Sequence, residues 1–332
     1  MNRICLAFCF LSVSAITQET PAPIIDMHLH AQPANAQGPP PVALCAPGRG
    51  YPPADTGADW GGTFLAFMKN VSCDQFLRFS TSDRELMERT LAIMKRRNIF
   101  AVTSGSLVDQ WRKEGGDRII PGLAFALGTD DPSVEQMRKM LSNGQYRVLG
   151  EVGIQYRGIE PGDARFEPYL ALAEQLDIPV GIHIGPGPPG APYLGTPAYR
   201  ARLHSPLVLE EPLMRHPKLR IYAMHAGWPM LDDTLAMLWT YPQLYVDVGV
   251  ISFAIPQAEF HAYLRRIVQS GFGKRVLFGS DQMVWPEALE IAIQSIEEAA
   301  FLSPGEKRDI LYNNAARFLR LSPEEIRRHH GK

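Results

Sequence analysis

Short β-branched or apolar runs alternate with amphipathic stretches from Ile24 almost to the end of the chain. The first run, Ile24 to His30, reads as a strand, and the next two are Phe100 to Ser104 and Ile119 to Leu127. Further strands are expected at Arg147 to Ile154, Pro179 to Ile184, Leu219 to His225, Leu244 to Val250 and Arg275 to Ser280. Between them the apolar residues recur every three or four positions, as in helices packed by one face. Ser82 to Arg97 is such a helix, with Ser82 as N-cap and Glu85 in the capping-box position. Arg165 to Leu176 places Phe166, Leu170, Ala173 and Leu176 on one face. Other helices are expected at Val108 to Lys113, Pro132 to Leu141, Pro206 to Arg215, Met230 to Thr240, Gln257 to Gly271 and Pro286 to Ala299. A last one, Pro304 to Leu319, has Ser303 as its cap and Glu306 as capping-box partner.

Strand–helix repeats with near-continuous apolar strands predict a parallel sheet covered on its outer face. Closed into a ring, eight of them make a (β/α)8 TIM barrel, and residues 18–332 suffice for one such domain. An open doubly wound sheet is the other arrangement, but no Gly-x-Gly-x-x-Gly turn follows the first strand. Two Pro/Gly-rich loops stand out, Ala31 to about Ser80 and Gly185 to Pro197. The first is too long for an ordinary connection, so it is expected to be a functional insertion after strand one.

Composition adds exclusions. Hydrophobic residues at 45% and charged residues at 20% suit a soluble globular protein, and a net charge of −2 gives no general attraction for nucleic acid or anionic membranes. Residues 1–17 read as a signal peptide: Asn2-Arg3 form the positive region, Ile4 to Val13 the apolar run, and Val13-Ser14-Ala15 a cleavage site. An apolar strand or a helix packed on the barrel is the alternative reading of that run. It is too short to span a bilayer, and Phe8 before Cys9 is a poor fit to a lipoprotein signal. The expectation is an exported protein, periplasmic or extracellular, without a stable membrane anchor. Export would leave Cys45 and Cys73, either a disulfide restraining the insertion or two free thiols. Oligomeric state is not legible, and a homo-oligomer stays open.

The chemistry emerges where polar residues interrupt the strand ends. His28 and His30 lie at i and i+2 at the end of strand one, on one face and ~7 Å apart. Glu151 interrupts strand four, His183 lies near the end of strand five, His225 ends strand six and Asp281 ends strand eight. In a barrel these ends converge on one mouth, the usual place for catalysis. Imidazoles and carboxylates gathered there would each carry a burial cost that a divalent cation removes. The remaining histidines, His204, His216, His261, His329 and His330, are expected at the surface.

This arrangement resembles the amidohydrolase superfamily of metal-dependent hydrolases, over Ile24 to about Leu321. Gly279-Ser280-Asp281 and Asn313-Asn314-Ala315 resemble the amidohydrolase-related branch, which holds both hydrolases and decarboxylases; Gly150-Glu151-Val152-Gly153 is similar to the strand-four signature of TatD-like and phosphotriesterase-like members. The resemblance implies that His28, His30 and Asp281 hold one metal and His183 and His225 a second, with Glu151 as bridge. With a single metal, Glu151 would be a ligand or a supporting group. Imidazole and carboxylate donors suit zinc best, with manganese, iron or cobalt as alternatives. A bound cation lowers the pKa of its water from about 15.7 towards about 7. Asp281 would then accept that water's proton and pass it to the leaving group.

The implied reaction is hydrolysis of a small ester, lactone, amide or phosphoester. Non-oxidative decarboxylation in the same kind of barrel is one alternative, and a non-catalytic metal-binding barrel is another. Tyr156, Arg157, Trp228, Gln282 and Trp285 follow the strand ends and are candidates for substrate contact, with Arg157 suited to a carboxylate or phosphate.

Overall fold

The computed structural model describes residues 21–48 and 50–332, so the expected signal peptide lies outside the described residues. Eight parallel strands form one sheet in chain order: β1 (Ile24–His30), β2 (Ile99–Ser104), β3 (Ile119–Phe125), β4 (Val148–Val152), β5 (Val180–His183), β6 (Ile221–Met224), β7 (Leu244–Asp247) and β8 (Val276–Leu277). Backbone bonds join the first strand to the segment after the last. Met27 N–H donates to the Phe278 carbonyl at 2.8 Å, Asp281 N–H to that of His28 at 2.7 Å, and His30 N–H to that of Gln282 at 3.0 Å. The sheet thereby closes into a TIM barrel. Most strands are shorter than their apolar runs, and residues beyond their ends, such as Val248 and Phe278, stay buried outside the regular ladder.

Helices alternate with the strands. In Asp83–Arg96 the Ser82 hydroxyl accepts from Glu85 N–H, while Leu86, Met87, Thr90, Ile93 and Met94 form the buried face. The expected capping box is only half present, since the Glu85 carboxylate turns to the amide and hydroxyl of Thr81. Ser303–Glu306 forms the full box, as do Ser133–Gln136 and Ser322–Glu325.

The last of these caps a helix, Pro323–His329, that the apolar pattern does not announce. At seven residues it is too short to show a period. It closes the bottom of the barrel, where Ile25, Met27, Phe100 and Leu277 meet Tyr312, Phe318 and Leu321. This corrects the surface assignment of His329: it is buried, its ring stacks on Phe100 at 3.6 Å, and the Tyr312 hydroxyl lies 3.1 Å from its Nδ1. His216 is likewise buried, held between Glu167 and Glu174. Both stand among charged neighbours, Arg215 and Lys218 for His216 and Arg327 and Arg328 for His329, so the sequence gives no sign of this.

Above the floor, Tyr222 of β6 crosses the barrel and donates to the Met27 carbonyl at 3.1 Å. Gly181 of β5 leaves room for it, since a Cβ there would come within 2.3 Å of the Tyr222 ring.

The insertion packs over the mouth. A ribbon of Leu44–Cys45 with Phe76–Leu77 is joined by a Cys45–Cys73 disulfide. Helix Trp60–Lys69 docks on the loop after β5, with the Trp60 indole donating to the Pro189 carbonyl at 2.9 Å. Among the described residues no helix is long and apolar enough to cross a membrane.

Candidate metal centre

The strand ends converge as the polar pattern anticipates. His28, His30, His183, His225 and Asp281 are all buried, and the Glu151 side chain is the most open of the set at 17% exposure. The His30 Nε2 lies 2.9 Å from Asp281 Oδ1 and 3.5 Å from Glu151 Oε2. His28 Nε2 is 3.5 Å from Asp281 Oδ1 and 3.9 Å from Glu151 Oε2. On the other side, His183 Nδ1 lies 2.5 Å from Glu151 Oε1 and 2.9 Å from His225 Nε2. Glu151 therefore stands between two histidine pairs, one oxygen towards each.

The backbone is forced into shape at these ends. His225 has φ 62° and Asp281 φ 54°, left-handed values that cost a non-glycine residue roughly 1 kcal/mol or more and that cluster at functional sites. A buried acid staples the two sides: Asp26 Oδ1 accepts from the amides of His28 and Ser280, each at 2.9 Å, and Oδ2 accepts from the Ser280 hydroxyl at 2.5 Å. This places His28 of β1 beside Asp281 after β8.

The mutual charges shift the ionisations. Burial opposes a charge on His28, but Asp281 and Asp247 outweigh it and hold the imidazole well above its ordinary range. Burial also opposes charge on Glu151, and hydrogen bonds with His183 and His28 overcome it, leaving Glu151 well below the usual carboxylate range. For Asp281 burial is outweighed by His28 and His30, so it is ionised at neutral pH. His225 is pushed down to about 4 by burial and by His183.

These residues fit a cation. Ligand-type atoms of His28, His30 and Asp281 lie within 4.8 Å of one another, as do those of His28, Glu151 and His225. His28 Nε2 and His183 Nε2 are buried without any hydrogen-bonding partner. Imidazoles and ionised carboxylates crowded together, with orphaned ring nitrogens among them, are a donor set suited to a cation.

Beside Glu151 opens a cleft of about 500 Å³ lined by Phe125, Asp131, Tyr156, Arg157 and Thr196. The Tyr156 ring packs on His183 with centroids 4.6 Å apart. Burial and the nearby Glu151 charge push its phenol well above its ordinary range, so it stays a neutral donor. Arg157 is exposed at the cleft rim.

The other substrate-contact candidates lie elsewhere. Trp285 is buried and its indole donates to the Val42 carbonyl at 2.9 Å, which fixes the insertion to the barrel. Gln282 is buried with its amide unpartnered, and neither it nor Trp228, whose indole reaches Glu259, lines this cleft. Of the five candidates, only the two after β4, Tyr156 and Arg157, line the opening beside Glu151.

Asp26 and Asp247 are site residues that the search for coordinating strand ends passes over. Their signal is the same as for the others, a charged residue inside an apolar strand.

A model of the amidohydrolase family matches residues 25–321. The chain belongs to the amidohydrolase family. A search of curated proteins gives no match. Among solved structures, this amidohydrolase is similar to a TIM-barrel protein from Bordetella bronchiseptica, at 21% identity over 77% of this chain and 88% of that one, TM-score 0.53. It is also similar to 4-oxalomesaconate hydratase from Rhodopseudomonas palustris, at 16% identity over 90% and 95%, TM-score 0.55. A third is a dihydroxybenzoic acid decarboxylase from Polaromonas sp. JS666 with bound manganese, at 13% identity over 92% and 98%, TM-score 0.55. At these identities the likeness is one of fold, and the family is one of metal-dependent enzymes.

Proposed function

We propose that this amidohydrolase is a metal-dependent hydrolase that holds two divalent cations and cleaves a small ester, lactone, amide or phosphoester. The observation that carries this is Glu151, whose Oε2 faces His28 and His30 while Oε1 faces His183 and, through it, His225. A carboxylate placed between two imidazole pairs is arranged as a bridge between two cation positions. His28, His30 and Asp281 would hold one, and His183 and His225 the other. Zinc suits this donor set, and manganese is the ion in one structure of similar fold.

When bound, the cations supply a water of lowered pKa and polarise the oxygen of the bond under attack. The residues do the rest. Asp281 Oδ1 is engaged by His30 at 2.9 Å, whereas Oδ2 has only His225 Nδ1 near it at 3.9 Å. Asp281 Oδ2 is therefore the freer atom to take the proton of the attacking water and return it to the leaving group. The neutral Tyr156 phenol is a donor beside the site, and Arg157 would hold an anionic part of the substrate at the rim. The insertion, docked over the mouth, would exclude bulk water.

The second reading is a lyase with one cation, favoured by similarity of fold to a hydratase and a decarboxylase. Metal analysis of purified protein together with a substrate panel separates the two. Two cations per chain with water-dependent cleavage supports the hydrolase. One cation with carbon dioxide release from an unsaturated or aromatic acid overturns it.

A further inference from the structure

We infer that Asp247, at the end of β7, is a positioning residue that fixes which nitrogens of His28 and His225 face the metal centre. This rests on the metal-centre reading above. Asp247 is fully buried and belongs to none of the proposed ligand sets. Its Oδ1 accepts from the His225 amide at 2.9 Å and from the Gly249 amide at 2.8 Å. Its Oδ2 lies 3.2 Å from His28 Nδ1; the contact falls short of hydrogen-bond geometry, and neither atom has any other hydrogen-bonding partner. A buried carboxylate without a partner is costly, so Oδ2 and Nδ1 must serve each other.

The consequence is a tautomer. An ionised carboxylate only accepts, so His28 must carry a proton on Nδ1. Its Nε2, which faces Glu151 and Asp281, is then the nitrogen available to a cation. His225 is set by the same turn: its Nδ1 donates to the Gly249 carbonyl at 3.0 Å, leaving Nε2 bare beside His183. The Asp247 bond to the His225 amide also supports that residue's left-handed backbone. One short turn thus orients an imidazole from each proposed cation position. Carboxylate–histidine–metal relays of this kind set ligand orientation and typically change metal affinity 10–100-fold when broken.

Asp247→Asn is the discriminating change because it keeps shape and reverses a donor. With its carbonyl oxygen on the two amides, the new NH₂ faces His28 Nδ1 and drives the proton to Nε2. Flipped, the NH₂ meets two N–H donors. Either way zinc affinity, measured by chelator competition on purified protein, is expected to fall by about 10–100-fold. Affinity within about threefold of wild type, in a variant that melts normally without metal, overturns the assignment.

Long-range ¹H–¹⁵N spectra of the wild type give a readout that does not depend on the variant folding. Nδ1 of His28 is expected to carry a proton in both the metal-free and the zinc-loaded protein. A bare Nδ1 in either state overturns the proposal. Absence of any cation uptake by the wild type would instead sink the metal-centre reading, and with it the part Asp247 plays towards a metal.

Discussion

Gly249 offers a test of how tightly the proposed centre is built, through Gly249→Ala. A Cβ at this position would sit 2.7 Å from His28 Nδ1, 3.1 Å from Asp247 Oδ1 and 3.2 Å from the Asp281 Cβ. Ordinary van der Waals contact begins near 3.4 Å, so His28 must move by roughly 0.7 Å or the β7 turn must retreat by as much. Gly249 is not among the residues with positive φ, so alanine is conformationally permitted and the perturbation is one of space. Overpacking of this size costs about 1–3 kcal/mol of stability. A displacement approaching 1 Å at a reacting centre costs about 100-fold in rate, because ligands and bases must be held within about 0.5 Å.

The expected result is a folded variant with a modestly lower Tm, but with zinc affinity and any identified activity down by one to two orders of magnitude. Chelator competition, thermal denaturation and steady-state kinetics measure the three quantities. Gly305→Ala, at an exposed site with nothing nearer than 4.0 Å, is the control and should leave all of them unchanged. A Gly249→Ala protein with wild-type zinc affinity would refute the view that the β7 turn packs directly against the ligands.

Other consequences are as direct. Arg157→Met is expected to raise KM several-fold for an acidic substrate with little change in kcat, because the guanidinium lies at the cleft rim; equal losses in both parameters would argue against a binding role. Breaking the Cys45–Cys73 bridge, which spans a sequence separation of 28, releases about 3–4 kcal/mol of loop-closure restraint. Reduction should therefore expose residues 46–72 to proteolysis while the barrel stays intact, and loss of the whole barrel at the same rate would contradict the insertion's separate restraint. Burial, and secondarily the neighbouring charge of Arg328, pushes His329 down to about 4 from an ordinary value near 6.5. The unfolded chain thus binds the extra proton first, so this term is neutral above pH 6.5 and destabilises progressively as pH falls towards 4. His329→Gln should flatten the acid side of a Tm–pH profile, and an unchanged slope would place the titrating group elsewhere.

Much of the architecture was legible because near-continuous apolar strands alternate with helical patterns along the chain, and because an imidazole or carboxylate inside an apolar strand is conspicuous. The pattern could not show which side chains share a wall of the mouth. Trp285 and Gln282 follow β8 much as Tyr156 and Arg157 follow β4, yet the former pack inward and the latter border the cleft. Direction after a strand end depends on turns such as the left-handed His225 and Asp281, which ordinary residue types do not advertise. The C-terminal helix escaped for another reason: its seven residues pack against a core supplied by the barrel strands and by Tyr312, Phe318 and Leu321. Asp26 and Asp247 carry the same strand-interrupting signal as Glu151, but their work is to hold other residues, and that is visible only when the strands are closed into a ring.

Glu151 is proposed to bridge two cations. Anomalous diffraction from crystals grown with zinc or manganese tests it most directly. Two peaks are expected, one among His28, His30 and Asp281 and one beside His183 and His225, with a Glu151 oxygen on each. A single peak with the Glu151 carboxylate turned away from it would contradict the two-cation hydrolase.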